Sequence, residues 1–317
     1  MKQIRVGLDL MGGDNAPGAL LQMLKNLEFP ESTKLVLIGT SEYKTSAFDY
    51  VVAPTFIEMD ESPLSALRRK KDASLCIGLR LLKEGIIDAF VSSGNTGALV
   101  SAAKMILGTF PGILRPALLA QLPTKKGPLA VLDVGANVQV KATHLVQFAL
   151  LGAAFCRASG TAHPTVGLLN IGSEAMKGTS ELRLAYQAIA KQSAIQFAGN
   201  IEGKSVFEGD VDVLITDGFT GNVFLKTAEG IASLILDRFG SLLPPDEYRK
   251  LSPQIRDLQR RLHYAEYPGA VLAGIRGIVI KCHGYSTPQA IVNAVLGAID
   301  LARGDFLQST ESQLHKP

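Results

Sequence analysis

Short runs of aliphatic and β-branched residues recur along the chain, most of them closed by a polar, glycine-rich turn. They are Ile4–Leu10, Lys34–Gly39, Thr55–Met59, Ala89–Ser92, Ala117–Leu122, Leu129–Asp133, Thr165–Ile171, Ile195–Ile201, Val211–Thr216 and Ile278–Cys282. Predominantly apolar runs of this length predict buried strands. Between them, helical spacing of apolar positions predicts helices from Pro17 to about Leu27, over Pro63–Glu84, and from Gly97 to about Leu107. Further helices are predicted to end near Arg157, after Gly178, from Thr220 to about Phe239, and over Pro288–Arg303. Pro123–Pro128 reads as the turn of a strand pair, and the tail from Gly304 is expected to fray.

Strands alternating with helices predict an α/β fold, with a mostly parallel sheet covered by helices on both faces. Residues 1–317 are expected to form a single α/β domain with a helical excursion at about 240–265. There Leu242-Leu243-Pro244-Pro245 breaks the pattern, and Asp246–Leu262 is a charged amphipathic segment interrupted at Pro253. Ligands of such sheets sit outside the carboxyl ends of the strands, so the glycine-rich turns are expected to converge on one face.

Composition narrows the class. A 47% hydrophobic content with 31 glycines, among 317 residues, suits a globular protein rich in tight turns. The net charge of +3 gives no case for nucleic acid and suits anionic substrates. Cys76, Cys156 and Cys282 are scattered among apolar neighbours, which argues for a reducing compartment; no Cys/His cluster suggests a metal. The N-terminus does not read as a signal peptide, and no apolar run is long enough to span a membrane.

The turns carry the chemistry. VSSGNTGALV (Val91–Val100) and ITDGFTGNVF (Ile215–Phe224) share a strand, a Gly-x-Thr-Gly turn and a helix start. Unpaired N–H groups in a helix's first turn make such a corner an anion site. Asp217 and Asn222 flank the second corner, and Lys226 lies one turn into its helix. Gly12-Gly13, Gly135-Ala136-Asn137 and Gly172 extend the set, although Asn95, Thr96, Asn222 and Asp217 would also serve as helix caps. Lys177, in a glycine-flanked turn, is the strongest single candidate for holding phosphate or a carbonyl oxygen. Asp9 and Asp14 either touch substrate or hold their loops together. Neither GxGxxG, a P-loop nor a GxSxG elbow is present. With no activated Ser or Cys, a bound substrate is expected to be the nucleophile, and phosphate needs positioning more than deprotonation.

Seven motifs then stand in order: DLMGGDNAP (Asp9–Pro17), SSGNTGAL (Ser92–Leu99), LDVGANV (Leu132–Val138), NIGSEAMKG (Asn170–Gly178), GNIEG (Gly199–Gly203), VDVLITDGFTGNVFLKTAEG (Val211–Gly230) and IVIKCHGYS (Ile278–Ser286). With these the chain resembles the bacterial phosphate acyltransferase family over nearly its whole length. That family usually has Ala where Leu10 and Ser93 stand and a more acidic run at Ser173–Met176. The resemblance implies a three-layer α/β/α fold of the isocitrate-dehydrogenase and phosphotransacetylase type, in a homodimer, with no metal or organic cofactor. It implies that phosphate attacks the thioester of a fatty acyl chain on acyl carrier protein, and that the acyl phosphate is handed to a glycerol-3-phosphate acyltransferase in phospholipid synthesis. It raises His283 as an acid for the leaving thiol and Lys281 as a ligand of phosphate. The excursion corresponds to a helical hairpin that in relatives forms the dimer and touches the membrane, so the expected location is cytoplasmic and peripheral to the membrane. The basic run Arg68–Lys71 is either a solvated face or a dock for the acidic carrier. Alternatives are a phosphotransacetylase acting on acyl-CoA, a membrane-surface scaffold and, last, a dehydrogenase.

Overall fold

The computed structural model describes residues 3–242, 244–262, 269–304 and 306–314. Eleven strands form one sheet: β1 (Ile4–Asp9), β2 (Thr33–Gly39), β3 (Asp49–Val52), β4 (Ala89–Ser92), β5 (Ala117–Pro123), β6 (Pro128–Leu132), β7 (Thr165–Asn170), β8 (Gln196–Glu202), β9 (Val213–Ile215), β10 (Ala270–Ala273) and β11 (Ile278–Lys281). Their spatial order is β3-β2-β1-β4-β11-β10-β5-β6-β9-β7-β8. Helices α1 (Pro17–Lys25), α2 (Pro63–Arg69), α3 (Ser74–Lys83), α4 (Thr96–Ile106), α5 (Ala142–Ala158), α6 (Ser180–Ile189), α7 (Gly218–Leu242), α8 (Pro245–Leu262), α9 (Pro288–Arg303) and α10 (Phe306–Leu314) connect them.

Alternate residues of each strand face opposite layers. Leu35 and Leu37 of β2 join one core with α1, α5 and α9, while Val36 and Ile38 join the other with α3 and α4. This is the expected three-layer α/β/α arrangement. The sheet is mostly parallel, yet β10 runs antiparallel to both β11 and β5, and β5 antiparallel to β6. These three reversals turn the second block, β6-β9-β7-β8, opposite to the first, β3-β2-β1-β4-β11. The carboxyl ends of the two blocks therefore lie at opposite edges, and the turns do not all converge on one face.

Four local expectations are corrected. Thr55–Met59 is not a strand; only Thr55 pairs, in a single bridge to Ala73. The third strand is the half-exposed edge strand β3, whose short run Tyr50-Val51-Val52 lies just before Ala53-Pro54. The helix expected over Pro63–Glu84 is two, because the Ser74 N–H donates to the Thr55 carbonyl (3.0 Å) and the Lys70 ammonium to that of Phe56 (2.9 Å), pulling the chain out of helix between them. The α8 helix runs through Pro253 without interruption. The tail does not fray at Gly304: Phe306 is buried edge-on against Phe155 of α5, with ring centroids 5.7 Å apart. Of the stretch after α8, residues 263–268 lie outside the described residues, and β10 follows at the centre of the sheet.

Candidate active site

Asp9, Ser92 and Lys281 end three neighbouring strands at one level of the sheet. Their turns consequently meet. The Asp14 N–H donates to the Gly284 carbonyl (2.8 Å), and the Asn15 amide to that of Ser286 (3.0 Å). The fit leaves no room for side chains. Gly12 has φ +78° and a Cβ there would lie 3.1 Å from the Gly94 Cα, while a Cβ on Gly284 would lie 2.5 Å from an Asp14 carboxylate oxygen. Three backbones from separate strand ends thus approach one another at one edge, beside the first turn of α4, whose N–H groups lack partners within the helix.

Beneath this floor lies a buried acid and a buried amine. Asp9 accepts from the Met11 N–H (3.0 Å) and the Ser92 hydroxyl (2.8 Å). Burial nevertheless pushes its carboxyl up to about 6, against those hydrogen bonds and the pull of Lys281. Lys281 donates to the carbonyls of Ser93 (3.2 Å) and Cys282, and burial pushes its ammonium down to about 8. Both groups hold the turns together from below.

The middle of α7 closes the open side. His283 Nε2 lies 3.4 Å from Glu229 Oε1, and the imidazole stacks on Tyr285 with centroids 5.1 Å apart. The Lys226 ammonium sits 5.4 Å above the Tyr285 ring centre, 3.5 Å from its hydroxyl and 3.9 Å from Glu229 Oε2. Lys226, Glu229, His283 and Tyr285 form one cluster over the glycine floor. Glu229 and Tyr285 were not singled out from the sequence. Glu229 could have been, since it lies three residues beyond Lys226 on the same helix face.

The remaining candidates set this geometry from further away. Both oxygens of Asp217 are engaged in the first turn of α7, accepting from the Thr220 N–H (2.8 Å) and hydroxyl (2.7 Å). The Asn222 amide donates to the Val134 carbonyl (3.0 Å). Asn137 accepts the Gly218 N–H on its carbonyl (2.8 Å) and donates its amide to Pro116 and Asp133 (both 2.8 Å). These contacts anchor the start of α7 at the opposite edge. Asn95 caps α4 through Ala98 (3.0 Å), and its amide is committed to the carbonyls of Glu58, Met59 and Glu61. Thr96 and Gly97 form the first turn of α4, and Gly97 lies against Pro63 of α2. Lys177 is in a third, separate turn: its exposed ammonium is 3.8 Å from Glu174, and its carbonyl accepts from Asn170 (3.1 Å).

Chemistry by an enzyme thiol is disfavoured, since burial pushes the Cys156 and Cys282 thiols up to about 12. Among the described residues no group of three or more His, Cys, Asp or Glu is placed to hold a metal ion, and no helix is long and apolar enough to cross a membrane. The arrangement can hold an anion over the glycine floor, beside one exposed cation and one imidazole–carboxylate pair.

The fold is like that of the EutD phosphotransacetylase from Staphylococcus aureus, with TM-score 0.59 and 15% identity, over 95% of this chain and 94% of that one. It is also like that of a branched-chain phosphotransacylase from Enterococcus faecalis V583, with TM-score 0.57 and 13% identity, over 99% and 100%. At such identities the likeness concerns the fold alone. Sequence relatives are much nearer. The phosphate acyltransferase of Chlamydia pneumoniae is 39% identical over 330 residues, 98% of this chain and 99% of the relative. That of Desulforamulus reducens is 40% identical over 306 residues, 92% of each. A family model described as "Fatty acid synthesis protein" matches residues 4–309. With the glycine-floored site carried on a phosphotransacetylase-like sheet, a family model matching residues 4–309 and about 39% identity to phosphate acyltransferases over nearly the whole chain, the chain belongs to the fatty acid synthesis protein family.

Proposed function

We propose that the protein makes acyl phosphate from inorganic phosphate and a fatty acyl thioester carried on acyl carrier protein. The observation that carries this reading is the meeting of Lys226 and His283 over the floor of Gly12, Gly13 and Gly284. Phosphate binds over that floor, held by first-turn N–H groups of α4 and by the Lys226 ammonium. A phosphate oxygen attacks the thioester carbon, and the carbonyl oxygen takes up negative charge that Lys226 stabilises. Collapse breaks the carbon–sulfur bond, and His283, held by Glu229, delivers the proton the thiol needs. The proton lost by monohydrogen phosphate replaces it, so acyl phosphate and free thiol are the products and no net acid or base is consumed. Asp217, Asn222 and Asn137 serve by fixing where α7 begins, and Asp9, Asp14 and Lys281 by holding the turns.

The eleven strands of one sheet support reading the chain as a single domain, and the exposed side of α7 supports pairing with a second copy. Ile231, Leu234, Ile235, Phe239 and Leu242 recur there at helical spacing and are all exposed.

The test is a donor comparison with the purified protein, phosphate and a chelator. Acyl phosphate should form with acyl carrier protein as donor. Formation from acyl-CoA alone would move the assignment to a phosphotransacetylase, and formation from neither would remove it.

A further inference from the structure

Several surface cations are neutralised by neighbouring carboxylates. Lys125 pairs with Glu208 (2.7 Å), Lys126 with Asp210 (2.5 Å), Arg69 with Glu61 (3.2 Å), and Lys70 with the same Glu61. One exposed group is instead laced to backbone carbonyls of neighbouring segments. The Lys104 ammonium donates to the Leu114 carbonyl (2.9 Å), and Arg115 donates to that of Gln139 (3.1 Å), two residues before Lys141. Three chain segments are thus laced into one shelf, and among the described residues none of its three cations pairs with a carboxylate. The nearby Glu181 is engaged by the Ala142 N–H (2.6 Å). Exposed apolar side chains stand among the cations: Met105 at 74%, Leu114 at 55% and Val138 at 65%. The field of the shelf is felt behind it, where burial and then Arg115, Lys141 and Lys104 hold the His144 imidazole below its ordinary range.

The shelf also leads to the active site. Val138 follows Asn137, whose carbonyl holds the Gly218 N–H at the start of α7. Lys226 lies eight residues further along that helix, about 12 Å at a rise of roughly 1.5 Å per residue. Phe219 and Val223, on the intervening turns, are both exposed and apolar.

We propose that the shelf of Lys104, Arg115 and Lys141, with Leu114 and Val138, is the docking face for the acidic protein that carries the acyl thioester. This rests on the acyl-transfer reading. A positive shelf with aliphatic contacts fits an acidic helix surface, and the apolar residues beginning α7 give the carrier's flexible thioester arm a path to Lys226. An anionic membrane fits less well, since lipid recognition draws on clusters of about 4–8 cations near the surface and this shelf has three. The Arg68–Lys71 run is weaker too, because Glu61 already holds two of its members.

The experiment is steady-state kinetics of the full-length protein at saturating phosphate, with acyl carrier protein varied. The charge reversal K104E/R115E/K141E should raise KM for the carrier at least tenfold and leave kcat within about twofold. K104Q/R115Q/K141Q, gentler on the hydrogen bonds to Leu114 and Gln139, should raise KM by a smaller factor, and R68E/K71E should leave it unchanged. Fluorescence anisotropy of labelled carrier should show the same loss of affinity for the two shelf variants. An unchanged KM in both shelf variants, or an equal rise in R68E/K71E, overturns the proposal. So does loss of binding to phosphatidylglycerol vesicles with carrier affinity intact. Should the wild type make no acyl phosphate, the acyl-transfer reading fails, and anisotropy alone then decides whether the shelf binds the carrier.

Discussion

Replacing Asn95 with Ala separates two roles that its sequence context left open. The side chain is buried, accepts the Ala98 N–H at the start of α4, and donates to three carbonyls of the 58–61 loop. Loss of the cap costs about 1 kcal/mol. Leaving these partly buried carbonyls without the Asn95 donor costs roughly 1–3 kcal/mol more, for a total of about 3 kcal/mol. At about 2.1 cal/mol/K of unfolding entropy per residue, that loss lowers Tm by about 4 °C for a two-state chain of 317 residues. Asn95→Ser can keep the cap but not the three donations, so it should melt between Asn95→Ala and wild type. Scanning calorimetry checks both variants, and turnover measured well below either transition checks function. The loop it holds packs on the floor, with the Met59 methyl beside Gly284, so moderate losses in both kcat and phosphate KM should accompany the lower Tm. An Asn95→Ala protein with unchanged Tm and collapsed phosphate affinity would refute the reasoning and return Asn95 to the ligand.

Three further outcomes follow from the same geometry. Lys226→Met should lose about 10²–10³ in kcat with Tm within a degree or two, whereas Lys177→Met, in its separate turn, should lose far less; the reverse order in kinetics would relocate the oxyanion site. Asp9 holds its proton up to about 6 in the folded chain against an ordinary 3.8, so folding stability falls as pH rises through that window; Asp9→Asn should flatten this limb in urea titrations. Lys281 has the opposite sign: its amine is neutral above about 8 when folded but above 10.5 when unfolded, so stability rises across that interval, and Lys281→Met should remove the rise.

Much of the fold was legible because buried strands announce themselves by composition. Ile4–Asp9, Ala89–Ser92 and Ile278–Lys281 are mostly apolar up to the polar residue that ends each, and their turns carry the glycines that close approach demands. The edge strand Asp49–Val52 escaped the sequence reading, although Tyr50-Val51-Val52-Ala53 is a short apolar run; with half its residues facing water, it lacks the burial on both faces that marks the other strands. The break within Pro63–Glu84 depends on a bridge between Thr55 and Ala73, a pairing that no helical periodicity encodes. Strand polarity was the largest loss. The net reversal sits at the β5–β6 hairpin, because the two antiparallel pairings of Ala270–Ala273 cancel. The hairpin was readable as a strand pair, but not that β7, β8 and β9 would follow β6 and so end at the opposite edge. For the site, Lys226 and His283 were visible as residue types at strand and helix ends, but their meeting depended on the length of α7. Asp217, Asn222 and Asn95 show the limit of reading polar residues in turns, because capping and ligand binding call for the same side chains.

The central claim is that phosphate itself attacks the thioester at this site. Oxygen-18-labelled phosphate, supplied with acyl carrier protein as the acyl donor, tests it most directly. Mass spectrometry should find acyl phosphate carrying the full label of the phosphate, formed in step with released thiol and lost in Lys226→Met. Thiol released without labelled acyl phosphate would contradict the account.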